Sequence, residues 1–279
     1  MKIKTFVFCT VTMLLSGVIN AQQLVKKKKK YIGNVELLRK TTISLGSGMT
    51  FANSETEALG VGNSTNINLG IYNPFCQNKK LGFGLHGFVS YALSNEKKSF
   101  SALPIAGYAS TISVDNQPKL SGISFGIGPQ FNFPIAHKML FSPIVDLAYV
   151  NQKINSYTVN QSYTDGFFPG NKDIYSQTET KASGIGFIPR LRLQYWLSEN
   201  VGLWIEGNYA INPKFKTTTT TLQPSENQIG GNYSIDDILM AASLQNEVAK
   251  NNNGIGVGAG VLFSFGSRNT CLLCILQKK

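Results

Sequence analysis

Beyond residue 40 the chain alternates apolar positions with small or polar ones in eight windows: 41–51, 65–75, 81–93, 121–133, 139–149, 183–195, 201–211 and 253–265. A period of two puts successive side chains on opposite faces of a strand, so each window predicts a strand with one apolar face. In 121–133, Ile123, Phe125, Ile127, Phe131 and Phe133 alternate with Gly122, Ser124, Gly126, Gly128, Gln130 and Asn132. One parity runs through all eight. No odd-numbered position in them is charged, whereas the even positions hold His86, Asp146, Arg190, Arg192, Glu206 and nearly all of the glycines.

A soluble sandwich also alternates, but its polar side faces water and has little need of glycine. In a narrow barrel the crowded side is the inside, and the outside is apolar where it meets lipid. An Arg or Lys on that outer face would cost about 2–4 kcal/mol near the bilayer midplane. The odd face keeps this prohibition throughout.

The connections alternate too. Residues 76–80, 134–138 and 196–200 are short, while 52–64, 94–120, 150–182 and 212–252 are long, the pattern of short periplasmic turns and longer extracellular loops. Aromatic residues gather at the ends of the odd face. Phe75, Phe131, Phe133, Phe141, Tyr195, Phe263 and Phe265 lie by the short turns, with Phe51, Tyr91, Tyr149 and Tyr209 by the long loops. Such girdles mark headgroup level. The expectation is an all-β, eight-stranded antiparallel up-and-down transmembrane β-barrel with four long extracellular loops.

The N-terminus agrees with export. Lys2 and Lys4 precede an apolar run, Phe6 to Leu15, and Ile19-Asn20-Ala21 offers a small residue for cleavage, which reads as a secretory signal peptide. The run is too short to cross about 30 Å of hydrocarbon as a helix. The expected organisation is therefore a signal peptide at 1–21, a periplasmic leader at 22–39, the barrel at 40–266 and a short tail at 267–279. Loss of Lys2 and Lys4 with the signal lowers the formal charge from +11 to +9.

That surplus does not indicate nucleic acid. The run Lys26–Lys30 lies outside any periodic segment of an exported chain and reads as a solvated leader. Cys9 leaves with the signal, and Cys76, Cys271 and Cys274 are too few to staple the domain. The C-x-x-C of Cys271 and Cys274 has no second half-site, so no metal or other cofactor is expected.

Two glycine motifs bear on this reading. GFGLHG at 82–87 and GIGVGAG from Gly254 both match the dinucleotide-binding pattern, which requires a helix opening on the last glycine. Here the first continues as FVSYAL in strand period, with Gly82 and Gly84 on the even face and Gly87 on the odd one. The match is a by-product of barrel alternation.

With these glycine-rich aromatic stretches, GISFGIGPQFNF and GIGVGAGVLFSF, after an AQQ mature start, the chain resembles the small outer-membrane barrels of the OmpA/OmpX type. The form it is similar to is the outer-membrane β-barrel-domain or PorT-like group of the Bacteroidota. The resemblance implies insertion by the barrel-assembly machinery, for which GVLFSF resembles the terminal signal, although GSRNTCLLCILQKK follows it. It also implies outer-membrane lipid and lipopolysaccharide as surroundings, and it permits a surface or secretion-system protein partner.

Inside the barrel, a Trp196–Asn200 turn that pairs Leu197 with Val201 would set Arg192 opposite Glu206, Arg190 opposite Asn208 and Gln194 opposite Trp204. Asp146 adds a second anion and His86 also points inward. An eight-stranded lumen is about the size that side chains fill, so these residues read as a structural network. The expected function is non-enzymatic, in envelope integrity or surface interaction through the loops. An accessory role in transport or secretion is the alternative, with a small-solute pore behind it. Only His86 and His137 could serve as histidine catalysts, and neither has a visible nucleophile beside it.

Three odd-face prolines, Pro129, Pro143 and Pro189, each remove a ladder donor. Pairing Phe133 with Met139 would set Pro129 opposite Pro143 and predicts a gap or bulge there. In the loops, Tyr157, Tyr163, Phe167, Phe168 and Tyr175 suit surface recognition. Ser234-Ile235-Asp236-Asp237 predicts a helix N-cap, with a helical stripe through Ile238, Leu239, Ala242 and Val248 to Lys250. Thr217–Thr221 predicts an extended segment.

Overall fold

In the computed structural model of this chain, residues 37–38, 40–77, 81–94, 99–164, 169–224 and 232–265 are described. Eight strands occupy the eight windows: β1 (Thr41–Phe51), β2 (Ser64–Gln77), β3 (Gly82–Leu93), β5 (Leu120–Ala136), β6 (Met139–Ile154), β9 (Thr180–Trp196), β10 (Val201–Ala210) and β13 (Gly254–Phe265). Each pairs antiparallel with its neighbours in that order. The ladder from Thr41↔Phe265 to Phe51↔Ile255 joins the last strand to the first and closes the barrel.

Side chains sort by parity. Even positions of β3 such as Gly82, His86 and Phe88 are buried, while Val89 and Tyr91 are exposed. Every exposed large apolar residue of the eight strands, from Leu45 to Phe265, is odd-numbered. Lumen glycines serve close approach. A Cβ on Gly46 would collide with the indole of Trp204, and one on Gly126 would come within 2.6 Å of the Phe88 ring. By contrast Gly87, the glycine out of phase in GFGLHG, meets only an Ile71 methyl at 3.5 Å and one carbonyl beyond it.

The prolines interrupt pairing as their missing donors require. Between β5 and β6 the paired positions pass from Ile127↔Leu147 to Gln130↔Ile144 and then to Phe133↔Phe141, skipping Pro129 and Pro143. The register itself differs from expectation. Phe133 faces Phe141 rather than Met139, because the turn is tighter than the five residues expected: Ala136 already pairs with Met139, leaving only His137 and Lys138 between the strands, so Pro129 and Pro143 are not opposite one another. Pro189 coincides with a second interruption, between Arg190↔Asn208 and the isolated bridge Phe187↔Ile211.

The long loops are structured. They hold β4 (Ala109–Asp115), β7 (Tyr157–Thr164), β8 (Pro169–Gln177), β11 (Phe215–Gln223) and β12 (Ala242–Lys250), which pair in the order β12, β11, β8, β7, β4. Two short helices accompany them, α1 (Ser54–Ala58) and α2 (Ile235–Leu239). The threonine run is extended, within β11. The Ser234 cap exists as a full capping box with Asp237, but the helix ends at Leu239. The stripe expected to reach Lys250 is instead β12, whose nine residues pair along the whole of β11. A partner strand satisfies every second backbone group there, which outweighs a weak helical pattern.

No helix among the described residues is long and apolar enough to cross a membrane. The expected signal peptide, the Lys26–Lys30 leader, Phe167, Phe168, Cys9, Cys271, Cys274 and the tail lie outside the described residues, as does the side chain of Cys76.

Candidate functional site

The lumen is built from even positions. Arg192 pairs in register with Glu206, Arg190 with Asn208 and Gln194 with Trp204. The Arg192 guanidinium donates from Nε and Nη2 to Glu206 Oε2 at 2.8 and 2.7 Å. Arg190 donates from Nη1 to Glu206 Oε1 and from Nε to Asp146 Oδ2, both at 2.8 Å. His86 completes the chain by donating Nδ1–H to Asp146 Oδ1 at 3.0 Å. Two arginines thus balance two carboxylates, and Asp146 is fully buried.

Buried charges need such multiple pairing, because a lone ion away from water costs several kcal/mol. The rings add to it. The Arg190 Cζ lies 4.1 Å from the centroid of Phe88 and the Arg192 Cζ 4.6 Å from that of Trp204, distances at which a ring face attracts a cation.

His86 and Asp146 stand on strands that do not pair with each other, since β5 lies between β3 and β6. Gly128, the register partner of His86, makes the link possible. A Cβ there would collide with the backbone of Val145 and Asp146.

Gln194 joins a separate chain: its Nε2 donates to Ser142 Oγ at 2.8 Å, Ser142 Oγ–H to Asn132 Oδ1 at 2.6 Å, and Gln130 Nε2 to the same oxygen at 2.7 Å. Sequence reasoning places Gln130 and Asn132 on the inner face but leaves them and Ser142 out of the network, though their even parity is the available signal. Asn208 does not join either group. It lines a cavity in the long-loop half of the barrel, bordered by Phe88, Ile188 and Arg190. Among the wall residues are Asn66, Asn68, Gln152 and Asn252. The half nearer the short turns is filled, with Trp196, Leu140, Ile144 and Leu262 at most 1% exposed.

Outside, the barrel presents Ile67, Leu69, Ile71, Ile127, Leu147, Leu191 and Ile205, each at least half exposed. A contiguous apolar belt around a closed ladder is stable only against hydrocarbon. The chain is an outer-membrane β-barrel.

No family model matches this barrel's sequence, and no curated protein does. Solved structures are similar to it at low identity. A major outer membrane protein from Thermus thermophilus is 13% identical, over 81% of this chain and 99% of that one, with a TM-score of 0.40. Ail, the attachment invasion locus protein of Yersinia pestis, is 14% identical over 81% and 99%, at 0.34. The outer membrane protease OmpT from Escherichia coli is 9% identical over 86% and 99%, at 0.38.

Above the barrel's long-loop rim the five-stranded sheet has a core of its own. Ile105, Tyr157, Val159, Tyr163, Ile174, Leu222 and Ile238 are buried together. Residues 99–108 and 232–240 cover it. The backbone N–H of Leu103 donates to the Gln161 side chain and its carbonyl accepts from it, both at 2.8 Å, and Ile105 bridges Tyr233. Burial pushes the Tyr157 phenol well above its usual range, with Tyr175 beside it, and its hydroxyl donates to the Leu59 carbonyl at 3.2 Å. Of the aromatic residues expected to be sticky surface, Tyr157 and Tyr163 are therefore core.

At the rim, Glu55 accepts from the Asn251 backbone and side chain at 2.8 and 2.6 Å, and these bonds hold its carboxyl below the usual range. His137 lies exposed in the short turn between β5 and β6, on the opposite barrel end from the extracellular sheet. Among the described residues no group of three side chains could hold a metal ion.

Proposed function

We propose that this protein is a non-enzymatic outer-membrane barrel whose extracellular sheet mediates surface interaction. The observation that carries the reading is the independent core of that sheet. Loops that merely connect strands have no need to bury Val159 and Tyr157 almost completely, whereas a binding surface gains from being held rigid before it meets a partner. The paired charges in the lumen and the packed short-turn half favour a scaffold over a conduit. The buried position of His86 and Asp146 favours structural over catalytic use, because a catalytic pair must reach a substrate.

The test compares cells displaying the full chain with cells in which residues 158–176 are replaced by a short Gly-Ser turn. With both chains migrating as folded barrels on unheated gels, the shortened one is expected to lose adherence to host-derived or abiotic surfaces while planar bilayers show no discrete openings with either. Unchanged adherence, or stable openings with the full chain, would remove the proposal.

A further inference from the structure

The barrel exterior changes character toward the long-loop end in three steps. Phe125 and Tyr149 pack ring to ring at 5.5 Å, with Ile185 opposite Tyr149. The next outward level holds Asn151 opposite Ser183, and the Tyr149 hydroxyl is 3.1 Å from Ser183 Oγ. Above it Lys153 stands directly opposite Lys181, and Lys181 in turn opposite Lys216 where β11 meets β9. Register partners share a face, so three lysines lie side by side on β6, β9 and β11, all exposed.

Among the described residues one carboxylate answers them. Glu179 accepts from Lys181 Nζ at 3.0 Å and is itself 44% exposed, which leaves two positive charges in surplus. Like charges directly opposite on neighbouring strands are unfavourable. An anion held between them would offset that repulsion. From Tyr149 to Lys153 is four residues, or about 13 Å along the strand. The order apolar, neutral hydroxyl and amide, cationic is also the order in which a lipid leaflet presents acyl chain, ester and hydroxyl, and phosphate.

We propose that Lys153, Lys181 and Lys216 form a one-sided phosphate-binding belt that holds the headgroup of a phosphorylated outer-leaflet lipid against this face of the barrel. The occupant is a lipid rather than free phosphate because the belt continues the acyl-facing surface without a break, and only a lipid engages both.

The full chain, folded into phosphatidylcholine vesicles with a minority of bisphosphorylated lipid A, is extracted in mild detergent. Its retained lipid is then weighed by native mass spectrometry. A parallel sample contains lipid A stripped of its phosphates. The wild type is expected to retain the phosphorylated form preferentially. K153Q/K181Q/K216Q should lose that preference by about fivefold for each lysine removed, the equivalent of about 1 kcal/mol per basic residue near an anionic surface. The charge-matched K40Q/K138Q/K172Q should keep it, and inorganic phosphate should not displace the lipid. Equal retention of both forms by the wild type, an equal loss in the control triple, or displacement by inorganic phosphate would overturn the proposal. Should the triple variant fail to fold, K153Q and K216Q singly, with salt titration of the wild type to screen the contacts, give the same decision.

Discussion

Glu206 is the residue on which the lumen turns, because both arginines donate to it. Glu206→Gln removes the charge and keeps the shape, leaving two buried guanidinium groups to share Asp146. Breaking one partner of a buried pair costs about 3–5 kcal/mol, so the urea midpoint for unfolding from vesicles should fall by that equivalent. A change under about 1 kcal/mol would mean that water or relaxation already serves the arginines. Glu55 gives a test in acid. Its folded pKa lies below its ordinary 4.5, so the Asn251 contact is fully present above pH 4.5 and is lost as pH falls through the lowered value. Hydrogen exchange at the Asn251 amide should accelerate in that window and not above it. Residue by residue, the inward set is legible from parity alone. The His86–Asp146 bond is not, since it passes across Gly128 on an intervening strand and no cross-strand pairing rule reaches that far.

At the level of elements, the eight barrel strands follow their windows closely because each must satisfy lipid on one face and a crowded lumen on the other, and a slip of one residue would exchange the two. The loops lack that double constraint. The sequence predicts helix over β12 because Ile238, Leu239, Ala242 and Val248 recur at roughly helical spacing, yet only Ile238 of these is buried. The threonine-rich β11 supplies a nine-residue ladder that decides the matter. Ile174→Ala should test the separateness of this sheet. It should cost about 2–4 kcal/mol of local stability, making residues 157–177 sensitive to protease on intact cells while the barrel keeps its heat-dependent migration. Simultaneous loss of both would show that sheet and barrel unfold as one unit.

For the whole molecule, the governing fact is that the ion pairs of the barrel lie inside, beside apolar residues such as Leu140 and Ile144, while its exposed mid-section is apolar against lipid. Ile205, more than half exposed and midway along β10, should therefore tolerate no charge. Ile205→Arg is expected to weaken folding into vesicles by about 2–4 kcal/mol, as an arginine near the midplane does. A neutral result would place this belt in water and undo the membrane reading.

The sequence by itself determined the strands, their parity, the alternation of short and long connections and the Arg192–Glu206 register, because a period of two in a lipid environment permits one solution. Only the tertiary structure decided which inward residues touch across the lumen, that its long-loop half stays open as a cavity, and that the loops fold into a second sheet. Those outcomes depend on contacts between segments far apart in the chain, such as Leu103 with Gln161 or Lys216 with Lys181, and no local pattern encodes a partner that closure of the barrel alone brings near.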